Sequence, residues 1–473
     1  MIQANFLHSL LKSILIFGSY KYLGVVVQFL ASMLITRLLM PEELGIVALI
    51  TVFSGFLMMF SENGMSFIII RSNYGLTFWN AISALLIRIG FFLFTIMIIL
   101  VYPISLFYNN PKLIPLTSVI SLLFIIQPYG MVAMAVLNKE QKFKILGKIT
   151  FFTTIILAVT TIFLAYLNFS YWAIVIGTIV SKFTSVLLAI HYSKFRPFYG
   201  KIKHVKAAWG ISKTLIFNLS GFTFINYWAR NLDNLLIGKI YGVGDLGIYS
   251  KAYSLLMMPL GLIQETINKT IFPLLKKEKD LKRDYRVSFI NSLKILGICL
   301  MPIVCLFVFK SNTLIQFIWG ANWIQVAEIL PYFGILIFIQ PLIGLTGNLI
   351  LLEEHDNKIF YNGLSVLFSV AGIIYGSFDS IVGIAKYYSL SNIVGTISFT
   401  SYYAYFKILK YPISFLLKFW APKILFCLIL WFGVSSDTNS IKITGFLLLF
   451  SHLLFSLRIG IYFFIKKLFI PSN

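Results

Sequence analysis

Apolar residues run in blocks along this chain, and short polar joints separate the blocks. They fall at about residues 13–36, 44–70, 79–102, 113–137, 147–167, 171–192, 214–238, 246–273, 288–309, 325–352, 359–376, 381–406, 415–434 and 441–465. Each block is continuous rather than alternating. At 1.5 Å per residue each crosses, or nearly crosses, about 30 Å of hydrocarbon. The pattern predicts an all-α polytopic membrane protein with about 14 transmembrane helices. It excludes a β-barrel, whose strands alternate in polarity. The block at 415–434 is the weakest, because Lys418 and Lys423 leave it a short uncharged centre. Counting it out would put the C-terminus on the other side. The first block is too long for a signal-peptide core and reads as a retained helix.

One polar joint occurs twice. Thr36–Ile46 ends an apolar block at a basic residue, turns, and opens the next block with Glu43-Leu44-Gly45-Ile46. Gly238–Ile248 does the same with Asp245-Leu246-Gly247-Ile248. The offset, 247 minus 45, is 202 residues. An even number of helices separates the copies, so the repeat is parallel and its halves share an orientation. The expected domains are a six-helix lobe at 1–192, a linker at 193–213, a second six-helix lobe at 214–410, and two additional helices with a tail at 411–473. Two such lobes would enclose a cleft suited to alternating access. In both joints the acids stand in the first turn of a helix, where its dipole favours them, and Pro41 suits that turn.

Composition narrows the class. Hydrophobic residues are 59% and charged residues 12%, too little charge for a water-soluble surface. The net charge of +23 could suggest nucleic acid, but the basic residues sit in short loops between apolar blocks. Only Arg37, Lys112, Lys239, Lys251, Lys310 and Lys442 lie in one set of alternate loops. The rest of the loop bases lie in the other set, which places both termini in the cytoplasm. The loops leave no room for an ATP-binding or extracellular catalytic domain. Cys299, Cys305 and Cys427 all lie in apolar blocks and predict neither a disulfide framework nor a metal site.

The candidate chemistry is carried by charges inside the blocks. Lys21, Arg88, Lys182, Arg230, Lys269, Lys294, Lys386 and Arg458 are basic; Glu62, Asp233 and Glu265 are acidic. A charge at the bilayer centre costs roughly 2.5–3.5 kcal/mol on insertion scales, so such residues face protein or a wet cavity. Arg88 lies about 14 Å into its helix, and Lys21 and Lys182 are similarly deep. Lys269, Lys294 and Lys386 lie nearer helix ends and can snorkel. Arg230 with Asp233, and Glu265 with Lys269, have the spacing of intrahelical ion pairs. The bases outnumber the acids, which points to a cationic cavity wall and an anionic ligand such as a phosphate. Lys21, Arg88, Lys182, Arg230 and Arg458 are the candidate substrate-binding residues. Glu62, Asp233 and Glu265 are the candidates for coupling transport to an ion gradient.

No enzyme motif accompanies them. The run Gly242–Gly247 has dinucleotide-loop spacing but joins two membrane helices. No metal or other cofactor is implied. Trp79, Trp172, Trp209, Trp319, Trp323 and Trp420 stand near block ends, as in an interfacial belt. Pro115, Pro128, Pro259, Pro302, Pro331 and Pro341 are expected to kink their helices, statically or as hinges.

The run Arg37-Leu38-Leu39-Met40-Pro41-Glu42-Glu43-Leu44-Gly45-Ile46-Val47-Ala48, followed by Phe60-Ser61-Glu62-Asn63-Gly64, resembles polysaccharide flippases of the O-antigen and colanic-acid exporter type. Arg230–Gly238, Leu246–Tyr249 and Pro259 agree in the second half. The resemblance covers about residues 10–430 and implies the multidrug/oligosaccharidyl-lipid/polysaccharide superfamily. It implies a bacterial inner-membrane protein that moves undecaprenyl-diphosphate-linked oligosaccharide for lipopolysaccharide or exopolysaccharide assembly. Its partners would be that lipid-linked substrate, membrane lipid and other polysaccharide-assembly membrane proteins, with no nucleic acid. Glu62 and Asn63 depart from the family's usual Ser/Asp-x-Gly. A cation-coupled drug exporter or a peptidoglycan-precursor flippase on the same fold is the alternative. A membrane polymerase or ligase is disfavoured by the short outer connections.

Overall fold

The computed structural model describes residues 2–62, 68–69, 75–198, 202–267, 271–281, 285–353, 364, 366–408 and 410–469. Among them there is helix and no strand. Ten helices are long and apolar enough to cross a membrane, and Val366–Gly376 and Asn439–Phe455 are shorter apolar helices. The protein is a multi-pass membrane protein. Its helices cluster into two compact units, 1–247 and 248–473.

The first unit contains α1 (Ile2–Leu38), α2 (Pro41–Glu62), α3 (Leu76–Phe107), α4 (Leu113–Ile120), α5 (Leu122–Lys139), α6 (Phe143–Tyr166), α7 (Trp172–Ser193) and α8 (Ile202–Ile240). Packing runs from α1 to α6, to α7, to α5, to α3, and then to α8, which also packs on α2. The joint at Thr36–Ile46 forms as its sequence requires. Pro41 opens α2 with Glu42 and Glu43 in the first turn. The Glu43 carboxylate accepts a hydrogen bond from the Met40 backbone N–H at 2.7 Å, satisfying a donor that the helix leaves orphaned.

The second copy of the joint opens α9 (Val243–Thr266), and the two copies touch. A Cβ on Gly45 would overlap the carbonyl oxygen of Val243 and lie 3.0 Å from the Gly247 nitrogen. A Cβ on Gly247 would overlap the carbonyl of Pro41 and lie 3.1 Å from the Gly45 nitrogen. Only glycine lets the backbones come this close.

Pro128 shapes the packing of α3 on α5. Lacking an N–H, it leaves the carbonyl of Phe124, four residues earlier, without its helical donor. Gly90 of α3 packs against that carbonyl and the proline ring, where any side chain would collide. The expected fourth membrane segment also breaks, at Ser121, into α4 and α5.

The second unit contains the rest of α9, then α10 (Phe272–Asp280), α11 (Tyr285–Phe309), α12 (Ser311–Ile318), α13 (Val326–Leu352), α14 (Val366–Gly376), α15 (Ile381–Ser391), α16 (Ile413–Phe419), α17 (Ala421–Ser435) and α18 (Asn439–Phe469). Its core joins Phe289, Leu293, Phe338, Leu342, Tyr405 and Leu453, among others. α13 lies at the centre, packed by α11, α15 and α17. α15 does not stay α-helical. It continues through π-helical turns at Asn392–Thr396 and Ser401–Ile408. Asn392 is buried there and donates to Ser369 Oγ at 3.1 Å and to the Tyr388 carbonyl at 2.9 Å.

Three tryptophans depart from the interfacial expectation. Trp319, Trp323 and Trp420 are all buried. The short α12 and the turn at Ala321–Trp323 fold the first two into the second unit, where Lys251 Nζ lies 5.4 Å from the Trp319 ring centroid. Trp420 packs edge-on against Tyr405 at 5.6 Å.

Candidate functional site

The candidate bases of the first unit are distributed over α1, α3, α7 and α8. Lys21 is half-buried on α1. The exposed apolar stripe of that helix is Tyr22, Val26, Leu30 and Leu34. At roughly 100° per residue, Lys21 lies about 160° round the helix from the middle of that stripe. It adjoins Tyr20 and Gly24, which pack on α6 at Gly147 and Thr154.

Lys182 is exposed on α7. Val180, Phe183 and Leu187 form the exposed apolar stripe there, and Lys182 lies roughly 130° round the helix from its middle. Both lysines lie away from the middle of these exposed stripes. α1 and α7 flank the same helix, α6.

Arg88 is held differently. It is half-buried on α3, and its Nη1 donates to the Ala84 carbonyl at 3.1 Å. It marks a change of surface along the helix. Phe91, Phe92 and Ile99 beyond it are exposed, whereas Ala81, Ala84 and Leu85 before it are buried. Gly90, two residues on, is clamped against α5 at the Pro128 kink, which fixes the height and rotation of Arg88.

Arg230 is exposed on α8, and Asp233, one turn later, is buried with 2% of its surface exposed. Asp233 Oδ1 accepts from the Asn234 backbone N–H at 2.8 Å. One turn before Arg230, α8 carries an aromatic wall that faces α2. Phe56 lies at its centre, 5.0 Å from Trp228, 5.4 Å from Phe224 and 5.7 Å from Tyr227. Tyr227 donates to the Val52 carbonyl at 2.5 Å, tying the wall together.

Glu62 ends α2, Glu265 lies on α9 and Arg458 lies on α18, but their side chains fall outside the described residues, as does the whole of Lys269. In the second unit Lys294 is half-buried on α11. Lys386 Nζ lies 5.7 Å from the ring centroids of both Tyr387 and Trp431, and the Trp431 indole donates to its carbonyl at 3.0 Å. Aromatic faces hold this base in place.

Lys423 was missed by sequence reasoning, which assigned it to a loop. It is fully buried in the first turn of α17. Its Nζ donates to the Phe419 carbonyl at 2.7 Å and sits 3.5 Å from the Phe419 ring centroid. The spacing of an aromatic four residues before a lysine was the available signal. Among the described residues, Asp233 in the first unit and Lys423 and Lys442 in the second are the buried charged side chains.

The fold and its intramembrane charges are those of a multi-pass helical membrane protein. A family model described as polysaccharide biosynthesis protein matches residues 34–328, and the chain belongs to that family. It is 26% identical over 328 residues to the lipopolysaccharide biosynthesis protein WzxC of Escherichia coli K12, covering 66% of this chain and 64% of that one. Among solved structures it resembles the lipid II flippase MurJ, with a TM-score of 0.69 at 16% identity over 96% of this chain and all of that one. It also resembles an inward-facing multidrug resistance MATE transporter of the MOP superfamily, with a TM-score of 0.60 at 12% identity over 79% of this chain and 93% of that one. The fold is shared with both of these proteins.

Proposed function

We propose that this protein moves undecaprenyl-diphosphate-linked oligosaccharide from the inner to the outer leaflet of the bacterial plasma membrane by alternating access. The observation that carries the reading is membership of a polysaccharide-biosynthesis family together with the fold of a flippase. Lys21, Arg88, Lys182 and Arg230 would face the diphosphate. Arg458 would contribute from the C-terminal helices. The protein acts without chemistry on its substrate, so no catalytic group is assigned. An ion gradient drives the cycle, and Asp233, Glu62 or Glu265 carries the coupling ion.

Both termini lie in the cytoplasm in this reading, and the protein works beside other membrane components of polysaccharide assembly. Complementation tests it. A bacterial strain lacking its surface-polysaccharide flippase should regain polymer when it expresses this chain. Proteoliposomes should move a fluorescent lipid-linked oligosaccharide between leaflets. Resistance to cationic drugs without either effect would favour a drug exporter instead.

A further inference from the structure

A cavity of about 300 Å³ lies between α10 and the first turns of α11. Ser288, on its wall, opens the apolar block 288–309, two residues after the charged Arg286. The cavity therefore sits where hydrocarbon gives way to headgroups. α10 is anchored at this level by buried Leu275 and by Lys279, which donates to the Leu352 carbonyl and lies 3.8 Å from Glu353. Leu274 and Leu281, both on the cavity wall, remain 58% and 53% exposed. Exposed leucines next to exposed Lys277 are the marks of a helix lying in a membrane interface.

The informative atom is Glu278 Oε2. It is buried on the cavity wall, and it has no hydrogen-bond partner among the described residues. A buried carboxylate oxygen left unsatisfied is costly, so the site favours a ligand that brings a donor. Ser292 does not supply one. Its hydroxyl donates to the Ser288 carbonyl at 2.8 Å, which leaves its lone pairs as a further acceptor. Lys277 puts the opposite charge on the same wall. A fitting ligand therefore carries an N–H cation for Glu278, an anion for Lys277 and a chain for the leucines.

We propose that this corner binds an aminophospholipid of the surrounding leaflet. The ethanolamine ammonium donates to Glu278 Oε2 and to Ser292 Oγ. The phosphate meets Lys277, and an acyl chain lies over Leu274 and Leu281. The choline headgroup has the same charges but no N–H to give. The glycerol headgroup has no cation.

Native mass spectrometry of the full chain, delipidated in detergent, tests the proposal. Phosphatidylethanolamine, phosphatidylcholine and phosphatidylglycerol with identical chains would be titrated in turn. The ethanolamine lipid should bind at least about tenfold more tightly than either other lipid, as one charge-assisted hydrogen bond allows. Glu278→Gln should remove most of that advantage. Lys277→Gln should weaken the ethanolamine and glycerol lipids together. Equal binding of the choline and ethanolamine lipids by the unmodified chain would overturn the proposal, whether or not either variant folds. So would a preference for the glycerol lipid, or an undiminished ethanolamine advantage in Glu278→Gln.

Discussion

Gly45 and Gly247 pack backbone against backbone, each filling the only space that the other's helix leaves for it. A methyl group at either position meets a carbonyl oxygen, which cannot rotate away as a side chain does. Gly45→Ala and Gly247→Ala should each destabilise the fold by about 1–3 kcal/mol through overpacking. Gly261→Ala is the control. It lies on α9 with nothing within 4 Å of a built Cβ, so it should be neutral or stabilising. Thermal unfolding in detergent separates the three. Equal midpoints would refute the close approach.

Arg88 has the best-fixed position of the candidate bases. In a leaflet-exchange assay Arg88→Ala should lower transport about 10- to 100-fold, the worth of a hydrogen bond to a charged group. Arg88→Lys should recover part of that loss. Lys182→Ala should lower transport with little effect on stability, because Lys182 is exposed. Wild-type rates in both alanine variants would remove the cationic wall from the mechanism.

Asp233 is the buried acid among the described coupling candidates. Asp233→Asn keeps the size of the side chain and abolishes its titration. It should slow transport and flatten the response to an imposed proton gradient. A slowed rate with an unchanged gradient response would leave Asp233 a positioning residue for α8.

Lys423 invites the opposite expectation. A buried base held by one carbonyl and one ring loses much solvation, and an apolar side chain of similar shape can do as well. Lys423→Met should preserve or raise the thermal midpoint and leave transport unchanged. Loss of transport in a stable Lys423→Met protein would make the lysine functional rather than structural.

At the connection between α17 and α18 the buried Lys442 pairs with the exposed Asp437. Lys442 Nζ donates to Asp437 Oδ1 at 2.6 Å. That hydrogen bond, and then the lysine charge, hold the Asp437 carboxyl below its ordinary value of 3.8. A depressed carboxylate contributes stability above its ordinary value and loses it as pH falls through its own lowered value. Lys442→Gln should move the Asp437 midpoint back up, as carboxyl NMR would read. The effect on folding should be slight, because the aspartate is open to solvent.

The helical architecture was legible because blocks of about 20 apolar residues have one stable form in lipid. The recurrence of the joint was legible because Gly45 and Gly247 sit in matching polar runs, which the fold brings into contact. Three things were not. Nothing in a linear pattern shows that Asn392 and its neighbours open into π turns, since that depends on partners such as Ser369. Lys423 was hidden because charge counting treats a lysine at a helix start as solvated. Trp319 and Trp323 were misplaced because their positions at a block end match both a belt and a folded-in turn. The candidate bases were found by depth alone. Their faces, which distinguish Lys21 and Lys182 from lipid-facing positions, needed the observed exposure of the stripes beside them.

The contact between the two joints has a further consequence. Gly45 meets the carbonyl of Val243, and Gly247 meets the carbonyl of Pro41; in each case the partner lies four residues before the opposing glycine. Exchanging the two segments leaves the contact unchanged. That is the signature of an isologous interface, in which one surface pairs with its own copy. The contact therefore treats the two joints as equivalents, 202 residues apart.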